Sequence, residues 1–482
     1  MSGTLVGVYQ SLPGWARSVA AAGRGSYLSY WRYDWRTERL AREALDREAW
    51  DPDRWKQWQQ ERLAHILIRA ATKVPFYREY WAKRSPQRAS KPWEHLENWP
   101  ILEKEEVRRN PRAFVAEDSS TRWMFSEHTS GTSGTPLTLW RRRETQRRWY
   151  ALLEARMRSW HGVSRHDRWA ILGGQLVVPV AQMTPPFWVW NPALHQLYMS
   201  SFHLSPEFAP HYLDALKMYR VKYLLGYTSA LEFLAREVIR LGRSNLKMTV
   251  VLTNAEPVSS MQRSLISEAF QCPLRDTYGM AEMVAAASEC SEANMHLWPE
   301  VGKIEVFDAH GPVPDGVPGD LVCTGLMNDD MPLIRYRVGD RAALQAADAS
   351  PCTCGRLLPC LRALEGRTDD VLHTADGRRI GRLDHIFKGG LPVLEAQLIQ
   401  ETLGRIRVRY VPSREFSQDS ARELMHAVRE YVGPMEIILE PLHRIPREPN
   451  GKFRAVICEL AKGNRAVSRP PQAIETGSPS KL

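Results

Sequence analysis

Apolar positions in the first part of the chain recur at the spacing of one helix face. Between residues 53 and 80 this face comprises Leu63, Ile66, Leu67, Ala70 and Ala71. Pro75 predicts the end of that helix, because proline lacks the N–H that continues the hydrogen-bond ladder. A second helix is predicted over residues 143–159. We therefore expect a helical region in this part of the chain.

Farther along, short apolar runs alternate with helical patterns. The runs predicted to be strands are Trp169–Leu172, Tyr223–Leu225, Thr249–Leu252, Ile304–Phe307 and Leu321–Cys323. Helical patterns at 231–241 and 261–270 lie between several of them. Strands separated by helices are typical of an α/β domain with mixed sheets and helices.

The pattern changes near Gly366, where a second domain is predicted to begin. Residues 371–380 are typical of a hairpin around Asp376-Gly377. A strand, a helix and a strand are then predicted at 406–411, 421–431 and 436–439. The predicted regions are an extension (1–50), a large α/β domain (51–367), a small α+β domain (368–462) and a disordered tail (463–482).

Composition limits the class of protein without identifying it. The 482 residues are 43% hydrophobic and 25% charged, the balance of a globular protein too long for a single core. Lys plus Arg (65) exceed Asp plus Glu (55), which suits anionic ligands, but the basic runs are too short to indicate nucleic-acid binding. No apolar run has the length of a membrane span and the first residues do not resemble a secretory signal, so a cytoplasmic location is predicted.

The first forty residues are rich in aromatic side chains set among arginines. They are Trp15, Tyr27, Tyr30, Trp31, Tyr33 and Trp35. Such residues either pack inside a protein or rest on a membrane surface. The sequence leaves both interpretations open and is compatible with a weak peripheral membrane contact.

The segment 129–136 is rich in hydroxyl side chains and glycine. Glycines let the backbone approach a ligand closely, and consecutive N–H groups and hydroxyls can surround phosphate oxygens. The segment lacks the Gly-Lys-Ser/Thr ending of a P-loop, and a flexible turn is the alternative interpretation. The residues assigned to phosphate binding are Thr129, Ser130, Gly131, Thr132, Ser133, Gly134 and Thr135, with Thr129 counted as catalytic.

Two later segments have the chemistry of a nucleotide site. Tyr278 offers an aromatic face to adenine, Gly279 permits close backbone approach, and Glu282 is a hard oxygen ligand suited to Mg²⁺. Each segment taken alone is equally typical of a strand end followed by a turn. The two segments contain Ala255, Glu256 and Pro257, and Asp276, Thr277, Tyr278 and Gly279, and the assignment of all seven to nucleotide binding is implied by the family resemblance that follows.

In this order, the segments resemble the motifs of the adenylate-forming superfamily. The resemblance is closest to its phenylacetate–CoA ligase-like branch, which includes relatives associated with capsular polysaccharide synthesis, and it covers nearly all of the chain after residue 50. It implies a large domain and a small mobile α+β C-terminal lid. Many members carry lysine where this chain has Thr135.

The resemblance also implies roles for residues late in the chain. Asp340 would accept the ribose hydroxyls, Arg367 would contact the nucleotide, and Asp369 would be the hinge between two catalytic conformations. Lys452, in the segment 449–454, would reach the α-phosphate from the small domain and offset the charge that develops there.

A metal site is predicted from cysteine and histidine. Cys290, His296, Cys352 and Cys354 have the composition of a closed Cys₃His zinc site, and Cys360 is a further candidate. Zinc-bearing members of the ligase-like branch have similar segments. The alternative interpretation is four ordinary buried side chains.

The predicted reaction is attack of a carboxylic acid on ATP to give acyl-AMP and pyrophosphate, followed by acyl transfer to coenzyme A. The predicted partners and cofactors are the acid, ATP, Mg²⁺, coenzyme A and structural Zn²⁺; the acid itself stays open. An amide-forming ligase, a catalytically degenerate nucleotide-binding protein and a membrane-associated assembly factor in surface polysaccharide biosynthesis are the alternatives.

Overall fold

The computed structural model describes residues 8–9, 11–84, 91–128, 137–175, 177–179, 181–243, 245–346, 349–367, 372–373, 379–380, 392–432, 435–447 and 453–460. The chain forms two compact units. The first comprises residues 1–368 and 446–453, and the second comprises residues 369–445 and 454–482. The predicted tail at 463–482 lies outside the described residues.

The first unit contains nine α-helices among its described residues. They are α1 (Gly14–Arg32), α2 (Trp35–Asp46), α3 (Pro52–Lys73), α4 (Pro75–Arg84), α5 (Lys104–Arg109), α6 (Arg143–Leu152), α7 (Ala209–Met218), α8 (Thr228–Arg240) and α9 (Ser260–Phe270). Proline begins α3 and α4, a position where its missing N–H costs nothing. Pro75 therefore separates the two helices as predicted. A π-helical turn over Leu153–Arg158 continues α6 nearly to the predicted end at 159.

The strands of the first unit build one large sheet and one hairpin. They are β1 (Phe125–His128), β2 (Thr138–Arg141), β3 (Trp169–Gly173), β4 (Trp188–Asn191), β5 (Gln196–Ser200), β6 (Tyr223–Tyr227), β7 (Val250–Asn254), β8 (Leu274–Gly279), β9 (Ala286–Glu289), β10 (Met295–Leu297), β11 (Gly302–Phe307), β12 (Gly319–Gly325), β13 (Tyr336–Leu344) and β14 (Cys360–Arg367). Strands β1 and β2 pair with each other, and the other twelve form a sheet of order β11-β12-β13-β14-β10-β9-β8-β7-β6-β3-β5-β4.

Five neighbouring strands in one half of the large sheet are parallel. Strands β5, β3, β6, β7 and β8 run in the same direction, while the strands on either side pair antiparallel. Parallel strands are buried on both faces and read as continuous apolar runs, which is why the sequence pattern identified them. The register aligns Tyr227 with Asn254 and Asn254 with Thr277, so the carboxyl ends of β6, β7 and β8 meet at one edge.

The second unit is a four-stranded sheet with a helix and a small hairpin. Its elements are β15 (Leu372–His373), β16 (Arg379–Ile380), β17 (Val393–Thr402), β18 (Arg405–Pro412), α10 (Gln418–Val432), β19 (Glu436–Pro441) and β20 (Val456–Cys458). Strands β19-β18-β17-β20 form the sheet, and β15 pairs antiparallel with β16. The antiparallel pairing of the predicted hairpin and the strand–helix–strand series are confirmed, while Asp376-Gly377 lies outside the described residues. The fold class is the predicted pairing of a large α/β body with a smaller α+β unit.

The N-terminal helices are joined to the large sheet by a buried ion pair. Arg156 is fully buried and donates to both carboxylate oxygens of Glu300 at 2.6 and 2.8 Å, while Arg47 donates to one of them at 3.1 Å. Burial opposes ionisation of Glu300, but Arg156 and Arg47 hold its pKa below the usual value. The carboxylate therefore stays charged and connects α2 to the segment before β11.

None of the helices in the described parts of the chain has both the length and the apolar character needed to cross a bilayer.

Candidate active site and metal cluster

The predicted phosphate loop is the connection between the paired strands β1 and β2. His128 pairs with Thr138, so residues 129–137 connect the two strands. Buried Arg141 of β2 donates to the Glu127 carboxylate and to the carbonyl of Ala281. This contact fixes the hairpin β1–β2 beside the segment that precedes Glu282. Residues 129–136, which include Thr129, Ser130, Gly131, Thr132, Ser133, Gly134 and Thr135, lie outside the described residues.

Glu282 lies between a lysine and a tyrosine from distant parts of the chain. Its Oε1 accepts from Lys104 Nζ at 2.9 Å and from Tyr336 Oη at 2.9 Å. Burial opposes ionisation of Glu282, but Lys104 and Tyr336 keep its pKa below the usual value. An ionised carboxylate of this kind fits the predicted Mg²⁺ ligand, which must be a charged oxygen donor.

Tyr278 and Asp340 are in direct contact, although three strands separate β8 from β13 in the sheet. The Tyr278 hydroxyl donates to Asp340 Oδ2 at 2.8 Å. Burial and the Asp340 charge raise the pKa of Tyr278 well above its usual value, so it remains a donor. Asp340 is also the register partner of Arg367 on β14. Asp340 thus contacts Tyr278 through its side chain and is aligned with Arg367 through the backbone register.

The segment after β7 is held by backbone and side-chain hydrogen bonds. Glu256 accepts from Ser229 N at 2.7 Å, from Ser229 Oγ at 3.1 Å and from Phe453 N at 2.9 Å. Ala255, next to it, has φ = 63°, a conformation that L-residues rarely adopt. Burial raises the pKa of Glu256, while the N–H groups of Phe453 and Ser229 act in the opposite direction. The Glu256 carboxylate thus fixes the start of α8 and the position of Phe453, a role within the first unit that the motif did not reveal.

Asp276 bonds to its neighbours on the sheet. Its Oδ1 accepts from Thr253 Oγ1 and from Thr277 N, each at 2.8 Å. Burial, with a further contribution from the nearby Glu289 charge, raises the pKa of Asp276 to about 7. Pro257 follows Glu256 in the chain. Gly279 ends β8 and is exposed.

The raised pKa of Asp276 predicts a pH-dependent stability. The folded state favours the protonated carboxyl, so its contribution is fully present below the pKa of the unfolded chain and is lost as the pH rises through about 7. From pH 6 to pH 8 this loss amounts to roughly 1 kcal/mol. Urea unfolding at both pH values is expected to show that Asp276→Asn reduces the difference by this amount. An equal pH difference in both proteins would contradict the assignment.

Sequence reasoning missed three residues of this site: Lys104, Arg141 and Tyr336. The contact of Lys104 with Glu282 joins residues 178 positions apart, and that of Arg141 with Ala281 joins residues 140 apart. The only signal was chemical type, since each can donate to a carboxylate or carbonyl. Two further predicted residues, Asp369 and Lys452, and the side chain of Arg367 lie outside the described part of the chain.

Aromatic residues near β3 and β4 pack against rings of neighbouring elements. Trp169 is buried and stacks on Tyr223, with ring centroids 5.7 Å apart. Trp190 stacks on Tyr219 at 5.3 Å. These ring contacts give Trp169 and Trp190 a packing role.

The four predicted zinc ligands form one cluster. The ligand atoms of Cys290, His296, Cys352 and Cys354 all lie within 4.8 Å of one another. Cys290 Sγ is 3.7 Å from Cys352 Sγ, and Cys354 Sγ is 3.4 Å from His296 Nε2. Tetrahedral bonds of about 2.0 to 2.3 Å place ligand atoms about 3.3 to 3.8 Å apart, so these separations fit zinc.

Neighbouring groups orient the cluster. His296 Nδ1 lies 3.0 Å from the Leu358 carbonyl, which directs Nε2 toward the cysteines. Asn294 Nδ2 donates to Cys352 Sγ at 3.2 Å, which suits a thiolate. Cys360 Sγ lies 3.5 Å from His296 Nδ1, on the other side of the ring, so it is not a fourth sulfur ligand.

Comparison with known proteins agrees with this architecture. The chain aligns with 2-hydroxyisobutyryl-CoA ligase, solved in the postadenylation state with R3-HIB-AMP, at a TM-score of 0.66 and 21% identity, covering 86% of this chain and 92% of that one. The fold is therefore that of the adenylate-forming enzymes. The chain is 26% identical over 285 residues to phenylacetate-coenzyme A ligase of Thermus thermophilus, covering 53% of this chain and 61% of the relative.

These matches show that the chain is similar to phenylacetate–CoA ligases and has the fold of adenylate-forming enzymes. It is related to CapK: it is 24% identical over 372 residues to Protein CapK of Staphylococcus aureus, covering 75% of this chain and 80% of that protein. Residues 372–459 also match the family model described as the CapK C-terminal domain. The family resemblance drawn from the motifs is confirmed.

Proposed function

We propose that the protein activates a carboxylic acid with ATP and transfers the acyl group to coenzyme A. In the first step a carboxylate oxygen attacks the α-phosphorus of ATP, and the bond to pyrophosphate breaks to give acyl-AMP. In the second step the thiolate of coenzyme A attacks the acyl carbonyl, and AMP leaves. The relatives named as coenzyme A ligases support this choice of acceptor.

The observation that carries the proposal is the convergence of charged and aromatic groups around the end of β8. Tyr278 contacts Asp340, Glu282 contacts Lys104, and Arg141 joins the base of the 129–136 connection to Ala281. On this proposal Tyr278 would offer a face to adenine, Asp340 and Arg367 would contact the ribose, and the residues between β1 and β2 would surround the phosphates. Glu282 would hold Mg²⁺, which supplies positive charge to the triphosphate.

Lys104 adds a positive charge to a site whose phosphate loop has Thr135 in place of lysine. Its ammonium group is 2.9 Å from the Glu282 carboxylate, and its side chain is about one-third exposed (31%). A partly exposed cation beside the proposed Mg²⁺ ligand suits an anionic substrate. With Lys104 in this position, the absence of a lysine from the phosphate loop is compatible with catalytic activity.

A panel of carboxylic acids, assayed for pyrophosphate release with and without coenzyme A, tests the proposal. At least one acid is expected to stimulate release from ATP, and coenzyme A is expected to yield the thioester of that acid. Release that leads to an amide with an added amine, and never to a thioester, would identify an amide-forming ligase instead. No release with any aliphatic or aryl acid would favour the nucleotide-binding scaffold.

The contact between Tyr278 and Asp340 predicts a selective effect on ATP binding. Tyr278→Phe keeps the ring but leaves Asp340 without this donor, so the KM for ATP is expected to rise roughly tenfold while kcat changes little. Steady-state kinetics with varied ATP measures both constants. Tyr212→Phe is the matched control, because it removes a buried hydroxyl that donates to the Ser200 carbonyl at 2.7 Å outside the site. Equal KM values for the two variants would contradict the role of Tyr278.

We also propose that Cys290, His296, Cys352 and Cys354 hold a structural zinc ion. All four positions of a tetrahedron would be protein groups, which leaves no position for substrate. The ion would join the end of β9, the strand β10 and the segment that precedes β14. Its contribution is therefore to stability.

A further inference from the structure

One face of helix α1 carries large apolar side chains that are exposed to solvent. Trp15, Val19, Tyr27 and Tyr30 are 75%, 65%, 44% and 58% exposed. At 3.6 residues per turn these four side chains fall within about one-third of the helix circumference. We call them the N-terminal aromatic face. Exposed aromatic residues that share a face indicate an interaction surface rather than scattered surface residues.

The opposite face of α1 is fixed to the protein. Arg17, Gly25 and Leu28 are buried. A Cβ atom at position 25 would lie 2.1 Å from the side-chain oxygen of Asn191 at the end of β4, so only glycine permits this approach. The helix is therefore anchored by its other side, and the N-terminal aromatic face is directed away from the core.

Arginine side chains lie against the exposed rings. The guanidinium of Arg24 is 5.1 Å from the Tyr27 ring centroid, and that of Arg143 is 3.7 Å from the Tyr30 centroid. At the start of α2, Trp35 is 65% exposed and has Arg36 at 5.3 Å. Residues 1–33 contain three arginines and neither aspartate nor glutamate. Arg24, Arg36 and Arg143 thus place positive charge beside the exposed rings. The acidic neighbours of Trp35, Asp34 and Glu38, are paired with Arg147 and Arg165.

We propose that the N-terminal aromatic face docks on the surface of an anionic lipid bilayer. Indole and phenol rings insert at the depth of the lipid headgroups, and flanking arginines bind lipid phosphates. Charge complementarity selects this partner over a second copy of the chain. A twofold contact would set the same arginines against one another. The proposal does not depend on the acyl-activating function.

Cosedimentation of the full-length protein with lipid vesicles tests the proposal. Binding is expected to vesicles of phosphatidylcholine mixed with phosphatidylglycerol, to weaken with added salt, and to be much weaker with phosphatidylcholine alone. The triple variant Trp15→Ser, Tyr27→Ser, Tyr30→Ser is expected to bind at least about tenfold more weakly. Arg24→Ser alone is expected to weaken binding about fivefold.

The control removes exposed apolar side chains elsewhere. Trp123→Ser with Met218→Ser changes residues that are 73% and 63% exposed and is expected to bind vesicles like the wild type. Pyrophosphate release in solution is expected to be unchanged in the triple variant, which separates this test from that of the proposed reaction. The proposal is wrong if the wild type ignores anionic vesicles, if the triple variant binds them equally well, or if that variant only converts a dimer to a monomer.

Discussion

Replacing Lys452 with alanine is expected to lower pyrophosphate release roughly a hundredfold to a thousandfold. An ammonium group near the α-phosphate offsets the negative charge that increases as the carboxylate attacks, and alanine cannot replace it. Phe453, the next residue along the chain, donates its N–H to Glu256 at 2.9 Å within the first unit. This contact holds Phe453, the residue that follows Lys452, at the edge of the sheet where β7 ends.

The two half-reactions separate this role from a general loss of structure. Lys452→Ala is expected to form thioester from supplied acyl-AMP and coenzyme A within a few-fold of the wild-type rate, because that step releases no pyrophosphate. Lys303→Ala, which removes an exposed lysine on β11, is the matched control and should retain both activities. Undiminished pyrophosphate release by Lys452→Ala would show that another group stabilises the attack.

Loss of the proposed zinc ion is expected to produce the largest change in stability. His296→Ala removes the buried imidazole whose Nε2 lies 3.4 Å from Cys354 Sγ. We expect this variant to lose stoichiometric zinc and to unfold at least about 5 °C below the wild type, because metal-binding free energy contributes directly to folding. Metal content by mass spectrometry and thermal unfolding with and without chelator measure the two effects.

Cys272→Ser is the matched control for the cluster. Cys272 is buried, but it is not one of the four clustered ligands. Its replacement is expected to change stability without changing metal content. A wild-type protein that contains no zinc after growth with zinc, and whose unfolding is insensitive to chelator, would assign the four side chains to ordinary packing.

The arrangement of strands and helices was largely predictable. The apolar runs at 223–225 and 249–252 became the central strands β6 and β7, and the helical pattern at 261–270 became α9. These strands are buried on both faces, so their sequences are apolar throughout and easily recognised. The order of strands across the sheet was not predictable, because it depends on contacts between segments distant in the chain.

The candidate site was predictable in residue type but less so in contacts. The motif containing Tyr278 and Glu282 identified a nucleotide site, yet Lys104 and Tyr336, which fix Glu282, carried no signal of their own. Glu256 was assigned to the nucleotide pocket, and the structure shows its carboxylate accepting three hydrogen bonds from protein groups. Such a structural role depends on which N–H groups the fold places near the carboxylate. The spacing of residues along the sequence does not reveal those contacts.

The sequence by itself determined the helices, the strands and the chemical types at the candidate sites, because periodicity and side-chain chemistry are local properties. Tertiary structure decided which distant groups meet. It paired Tyr278 with Asp340 across 62 residues and Lys104 with Glu282 across 178. It also decided which N-terminal aromatic residues pack and which face solvent, because the close approach of Gly25 to Asn191 sets the orientation of α1.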